Sequence, residues 1–121
     1  MRFLMYTIGD DSTPIPPPSP EEMAEMGKFM NEATKAGVLL ATGAMAPSAQ
    51  GTTVRFYDGK FTVTDGPYAE AKELIGGWAL VRVASKAEAI DWAKRFLRIV
   101  GRGESRIRQV FGPEDMEPNR A

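Results

Sequence analysis

A ferredoxin-like α+β domain, built as βαββαβ with a β-hairpin inserted, is the architecture that this sequence predicts. Three patterns lead to it. Apolar residues recur at spacings of three and four in two segments, each opened by a serine and closed by a glycine. Further segments rich in apolar residues are short enough to be strands. Asp58-Gly59, between two alternating runs, marks the hairpin.

The elements follow in order. Arg2–Ile8 reads as a strand with Phe3 and Met5 on one face and Leu4, Tyr6 and Ile8 on the other. Pro14, Pro16, Pro17, Pro18 and Pro20 then make a stiff connector, unfit for a helix interior or a central strand. Ser19-Pro20-Glu21-Glu22 joins an N-cap serine, a proline at the first helical position and the glutamate of a capping box. Met23, Met26, Met30 and Ala33 form the apolar stripe of the helix, widened by Phe29 and Ala36, and Gly37 ends it. A methionine stripe serves either as an adaptable binding surface or as core filling, and core filling is the commoner use.

Val38–Met45 is a second strand that is apolar on both faces. Thr53–Tyr57 and Phe61–Thr64 flank the turn of the hairpin. Val54, Phe56, Phe61 and Val63 are expected inward, with Thr53, Arg55, Thr62 and Thr64 outward. Gly76–Val83, holding Trp78, Leu80 and Val81, is a further buried strand. Ser85-Lys86-Ala87-Glu88 repeats the capping signature and opens a helix with Ile90, Ala93, Phe96, Leu97 and Val100 on its apolar face. Gly101 and Gly103 end that helix, and Glu104–Phe111 is the last strand.

The right-handed crossover rule puts both helices on one face of the antiparallel sheet. Strands that are apolar on both faces then leave the other side of the sheet in need of cover. A second copy of the sheet supplies it most economically, so a homodimer with a barrel-like shared core is expected.

Composition narrows the function. The 121 residues suit a single domain, expected to span 1–112, with 113–121 as a flexible or partner-draped tail. Fifteen Lys and Arg against sixteen Asp and Glu leave a net charge of −1, which offers no overall attraction to nucleic acid or an anionic membrane. Cysteine and histidine are both absent. Their absence excludes thiolate nucleophiles, a Ser-His-Asp triad and the usual transition-metal ligand sets, so no metal and no cofactor are expected. No apolar run reaches the length of a membrane span. The short run Phe3–Tyr6, followed by Asp10 and Asp11, lacks the form of a signal peptide. A cytoplasmic protein is expected.

The stretch from Val63 to Trp78 concentrates the groups able to do chemistry. Asp65 precedes Gly66-Pro67 and is placed to cap a short helical turn. Tyr68, Glu70, Lys72 and Glu73 follow closely, and Gly76-Gly77 permits close approach by another backbone or a ligand. One reading is a cap and a solvated turn. The other makes Asp65 or Glu70 a general base, with Tyr68 or Lys72 as electrophile and Glu73 beside them at an apolar pocket. Tyr6, Trp78 and the aromatic residues of the helices are candidate walls. Lys94, Arg95, Arg98 and Arg102 read as a solvated basic face. Arg106 and Arg108 instead alternate on one side of the last strand and suit an anionic ligand if a pocket borders it.

The same stretch, Asp65-Gly66-Pro67-Tyr68 through Glu70-Ala71-Lys72-Glu73-Leu74-Ile75-Gly76-Gly77-Trp78, resembles the YCII-related proteins, in particular the subgroup named for its DGPF motif. The similarity extends to Phe3–Tyr6, Ser19–Met23, Gly37-Val38-Leu39 and Asp58-Gly59-Lys60. It implies a dimeric α+β barrel. In the wider family a His–Asp pair has been proposed as an active site. This chain has no histidine, so only Asp65 stands at the motif carboxylate. The subgroup's association with extracytoplasmic-function sigma factors implies a regulatory role.

Three functions follow as expectations. The first is a homodimeric accessory or sensor module that binds a small organic ligand near Asp65. The second is a metal-independent enzyme that moves a proton or isomerises its substrate through a carboxylate. The third is an interaction module that docks onto a sigma factor.

Overall fold

The computed structural model describes residues 1–9, 17–46, 48–66 and 74–115. Its elements are β1 (Arg2–Gly9), α1 (Pro20–Lys35), β2 (Leu39–Ala44), β3 (Thr52–Tyr57), β4 (Lys60–Asp65), β5 (Leu74–Arg82), α2 (Lys86–Val100) and β6 (Glu104–Val110). Single 3-10 turns stand at Ser48–Gln50 and Pro113–Asp115. The main sheet is antiparallel in the order β2-β5-β1-β6, while β3 and β4 form a separate two-stranded ribbon. With the ribbon set aside, the central strands are the first and third of four, as the ferredoxin-like βαββαβ pattern requires.

Both helices start where the serines dictate. The Ser19 Oγ accepts the Glu22 N–H at 3.1 Å, and the Ser85 Oγ accepts the Glu88 N–H at 3.2 Å. The Glu88 carboxylate reaches one residue past the N-cap and accepts the Ala84 N–H at 2.9 Å. Gly37 (φ +75°) follows the end of α1, and Gly101 (φ +84°) caps α2 in the left-handed conformation.

Phe3, Val38, Val81, Val83 and Ala89 form the buried core between the helices and one face of the sheet. Strand alternation then sets the two faces. Phe3, Met5 and Thr7, opposite Val81 and Ala79 of β5 and Gln109, Ile107 and Ser105 of β6, face the helices. Leu4, Tyr6 and Ile8, with Trp78, Leu80, Arg106 and Arg108 across from them, face away. Among the described residues, no helix covers that second face.

One strand pair is irregular. The β1–β5 register slips between Tyr6, opposite Trp78, and Ile8, opposite Ile75, so Gly76 and Gly77 together face Thr7. The Thr7 hydroxyl takes over the missing ladder contact. Its Oγ1 accepts the Gly77 N–H at 2.9 Å and lies 3.4 Å from the Gly77 carbonyl, to which it donates. A Cβ on Gly76 would stand 3.3 Å from that oxygen, so glycine is what lets the strands close here.

Three expectations are corrected. The ribbon turns at Asp58 (φ +54°) and Gly59 (φ +74°), as the Asp-Gly signal requires, but its apolar face is not inward. Val54, Phe56, Phe61 and Val63 are 57–73% exposed. Alternation gave the ribbon two distinct faces but carried no information on what, if anything, lies over them. Along α1, Met23 is 61% exposed, whereas Met26 and Met30 turn toward the sheet. On α2 the inward side is carried by Ala89, Trp92, Ala93 and Phe96, and Ile90 is exposed. Beyond the last strand, Asp115 accepts the Gly112 N–H at 2.8 Å and pairs with Arg2 at 3.6 Å, which ties residues 113–115 to β1.

Candidate functional site

The layers do not close completely. A cavity of about 230 Å³ lies between the helices and the sheet. Its floor is Met5, Thr7 and Ala79 of the central strands with Thr42 of β2, and its roof is Met26, Phe29 and Met30 of α1 with Trp92 and Phe96 of α2. The reason is visible in the sequence. Small residues at Ala33, Ala79, Ala93, Gly43 and Gly77 hold the layers together but do not fill the gap between the larger side chains.

The wall is apolar and soft. Among the described residues, no Asp, Glu, Lys or Arg lines it. The Thr42 hydroxyl donates to the Trp78 carbonyl at 2.8 Å and the Thr7 hydroxyl is engaged with Gly77, so both are already bonded to the backbone of β5. Ser105, opposite Thr7 on β6, also lines the cavity, and among the described residues its hydroxyl has no hydrogen-bond partner.

A seam of rings and charge closes the roof. Phe29 and Trp92 meet at 5.7 Å between centroids with a 54° tilt. The Arg95 guanidinium lies over both rings, at 5.2 and 4.7 Å, and pairs with Glu32. Arg95, expected on a solvated basic face, thus joins the two helices, because its long stem reaches across the ring pair.

The predicted site residues fall in three places. Tyr6 and Trp78 border the cavity, although strand alternation turns their side chains to the other face of the sheet. Trp78 lies beside Gly43, where a Cβ would stand 2.9 Å from the ring. Arg106 and Arg108 stand opposite Tyr6 and Leu4 on the sheet face turned from the helices, and Arg106 pairs with Glu104 at 3.3 Å. Neither arginine lines the cavity. Asp65 ends the ribbon, where its carboxylate is exposed and accepts the Thr52 hydroxyl at 2.8 Å, and Gly66 donates to the Gly51 carbonyl at 3.0 Å. The cap expected from Asp65 onto a turn at Pro67, together with Tyr68, Glu70, Lys72 and Glu73, lies outside the described residues.

Met5, Met26, Met30 and Ser105 were not foreseen as site residues. For Met26 and Met30 the methionine stripe is the signal, and methionine spacing alone does not tell a gap from a filled core; Met5 and Ser105 carry no such signal. Among the described residues no cluster of acidic side chains could hold a metal ion, and no helix is long and apolar enough to cross a membrane.

A four-stranded antiparallel sheet with two helices on one face and an apolar slot between them defines a small α+β domain of ferredoxin-like topology. The chain belongs to the YCII-related family, whose domain profile matches residues 1–112. It is also similar to an uncharacterised protein of Rhizobium meliloti (strain 1021), at 33% identity over 72 residues. That match covers 60% of this chain and 58% of the relative's length.

Proposed function

We propose that this protein is a homodimeric small-ligand-binding module whose ligand lodges in the cavity between helices and sheet. The cavity carries the reading. Well-packed domains of this size leave few voids larger than a water molecule, and an apolar space of about 230 Å³ is a standing loss of packing unless something fills it. The absence of histidine and cysteine from the chain agrees with binding rather than nucleophilic chemistry.

The second copy covers what the helices do not. Leu4, Tyr6, Ile8, Trp78 and Leu80 share the outer sheet face with Arg106 and Arg108 and are only half-buried within one chain, and the separate ribbon exposes Phe56 and Phe61. An uncovered cluster of large apolar side chains of this kind is characteristic of a self-association site. Asp65-Gly66-Pro67-Tyr68 supports placing the chain in the DGPF subgroup of its family.

The test is thermal stabilisation across a panel of aliphatic, aromatic, anionic and cationic small molecules, repeated with Met30→Trp and Ala93→Leu, which fill the cavity. Saturable stabilisation by a panel member, lost in both folded variants, is the expected result. A panel without effect, or stabilisation that survives both variants, overturns the reading.

A further inference from the structure

We infer that the cavity selects a flat, uncharged, two-ring aromatic molecule carrying a single hydroxyl or carbonyl group. The inference rests on the ligand-binding reading above and adds the chemistry of the ligand.

Size comes first. A cavity of about 150 Å³ lined by Leu, Ile and Phe holds benzene. The space here, about 230 Å³, is half as large again and suits a fused pair of six-membered rings. Shape follows from the layers. The floor is sheet and the roof is two helices, so the space is a slot in which a planar molecule contacts both sides at once.

The lining then fixes the chemistry. Phe29, Trp92 and Phe96 offer ring faces and edges, and Met5, Met26 and Met30 bring three thioethers. Aromatic ligands gain tilted ring contacts and sulfur–ring contacts here that a saturated chain cannot make. Among the described residues no Asp, Glu, Lys or Arg lines the wall, so a charged ligand would lose its hydration without compensation from them. Polarity is confined. The Thr7 and Thr42 hydroxyls are bonded to the backbone of β5, whereas the Ser105 hydroxyl lines the slot without a described partner. One polar atom on the ligand, at the Ser105 end, is what the site can satisfy.

Calorimetric titration with 2-naphthol, naphthalene, 2-naphthoate and 1-octanol tests this, with near-ultraviolet circular dichroism as a second readout. Trp92, on the roof of the cavity, reports its occupancy, while Trp78 on β5 borders the cavity from the sheet. We expect 2-naphthol to bind most tightly, naphthalene more weakly, and 2-naphthoate not measurably. Ser105→Ala should cost 2-naphthol about three- to tenfold in affinity and leave naphthalene unchanged. The conservative Ser105→Thr should restore part of the difference.

Tighter binding of 1-octanol or 2-naphthoate than of 2-naphthol overturns the inference. So does a Ser105→Ala variant that keeps the full preference for 2-naphthol. If none of the four binds but another panel compound does, and Met30→Trp abolishes it, the ligand-binding reading stands and the aromatic assignment fails. If nothing binds, both fail.

Discussion

Gly43 and Trp78 are cross-strand partners, and the indole lies where a side chain on residue 43 would have to be: a Cβ there would stand 2.9 Å from Cζ2. Glycine on β2 is therefore the condition for the ring on β5 to lie flat against the sheet beside the cavity. Gly43→Ala is expected to push the indole off the strand, costing about 1–3 kcal/mol. Urea unfolding measures the loss, and a shift in tryptophan emission locates it.

Thr7 holds the slip between β1 and β5 together through one hydroxyl. Thr7→Val keeps the shape of the side chain and removes the acceptor for the Gly77 N–H. The expected cost is about 1–3 kcal/mol, with faster hydrogen exchange at Gly77 as the local sign. Thr7→Ser should retain most of the stability.

The uncovered face of the sheet makes the assembly testable. Leu80→Glu puts a carboxylate among Leu4, Tyr6 and Trp78, away from the helix-side core. Sedimentation at micromolar concentration should give a dimer for the natural sequence and a monomer for this variant. A natural chain that sediments as a monomer removes the second copy from the proposed function.

Ser19 and Ser85 cap the helices that roof the cavity. Replacing either with alanine should cost about 0.5–2 kcal/mol, measured by thermal or urea unfolding. The loss at Ser85 should be the larger, since Glu88 there also holds the Ala84 N–H.

Asp65 stands at the ribbon end and is not among the residues that line the cavity. Its exposed carboxylate bonds Thr52 at the end of the ribbon. Asp65→Ala should change stability by less than about 1 kcal/mol and leave ligand stabilisation intact. Loss of that stabilisation would move the binding site from the cavity to the ribbon end.

Much of this fold is legible in the chain because its signals are local. Ser19, Ser85, Gly37 and Gly101 mark helix ends through short-range hydrogen bonds and backbone conformation. Asp58-Gly59 specifies the turn by its own φ angles, and Phe3, Met5, Leu4 and Tyr6 sort into two faces by alternation alone. The cavity is a different kind of property. It depends on how far Met26, Met30, Trp92 and Phe96 stand from Met5 and Thr7, residues separated by tens of positions, and no spacing rule encodes that distance. The ribbon fails for a related reason: Val54 and Phe61 read as interior because they alternate, whereas interior and merely apolar are distinguished only by what packs over them.

The ribbon has a thermodynamic corollary. Two strands alone are marginal in water, and this pair carries its aromatic contact, Phe56 against Phe61 at 4.6 Å, on an open face. Where the second copy of the proposed dimer covers that face, dilution should fray β3 and β4 before it disturbs the four-stranded sheet. Amide exchange along Val54–Val63 as a function of concentration would then follow the proposed association.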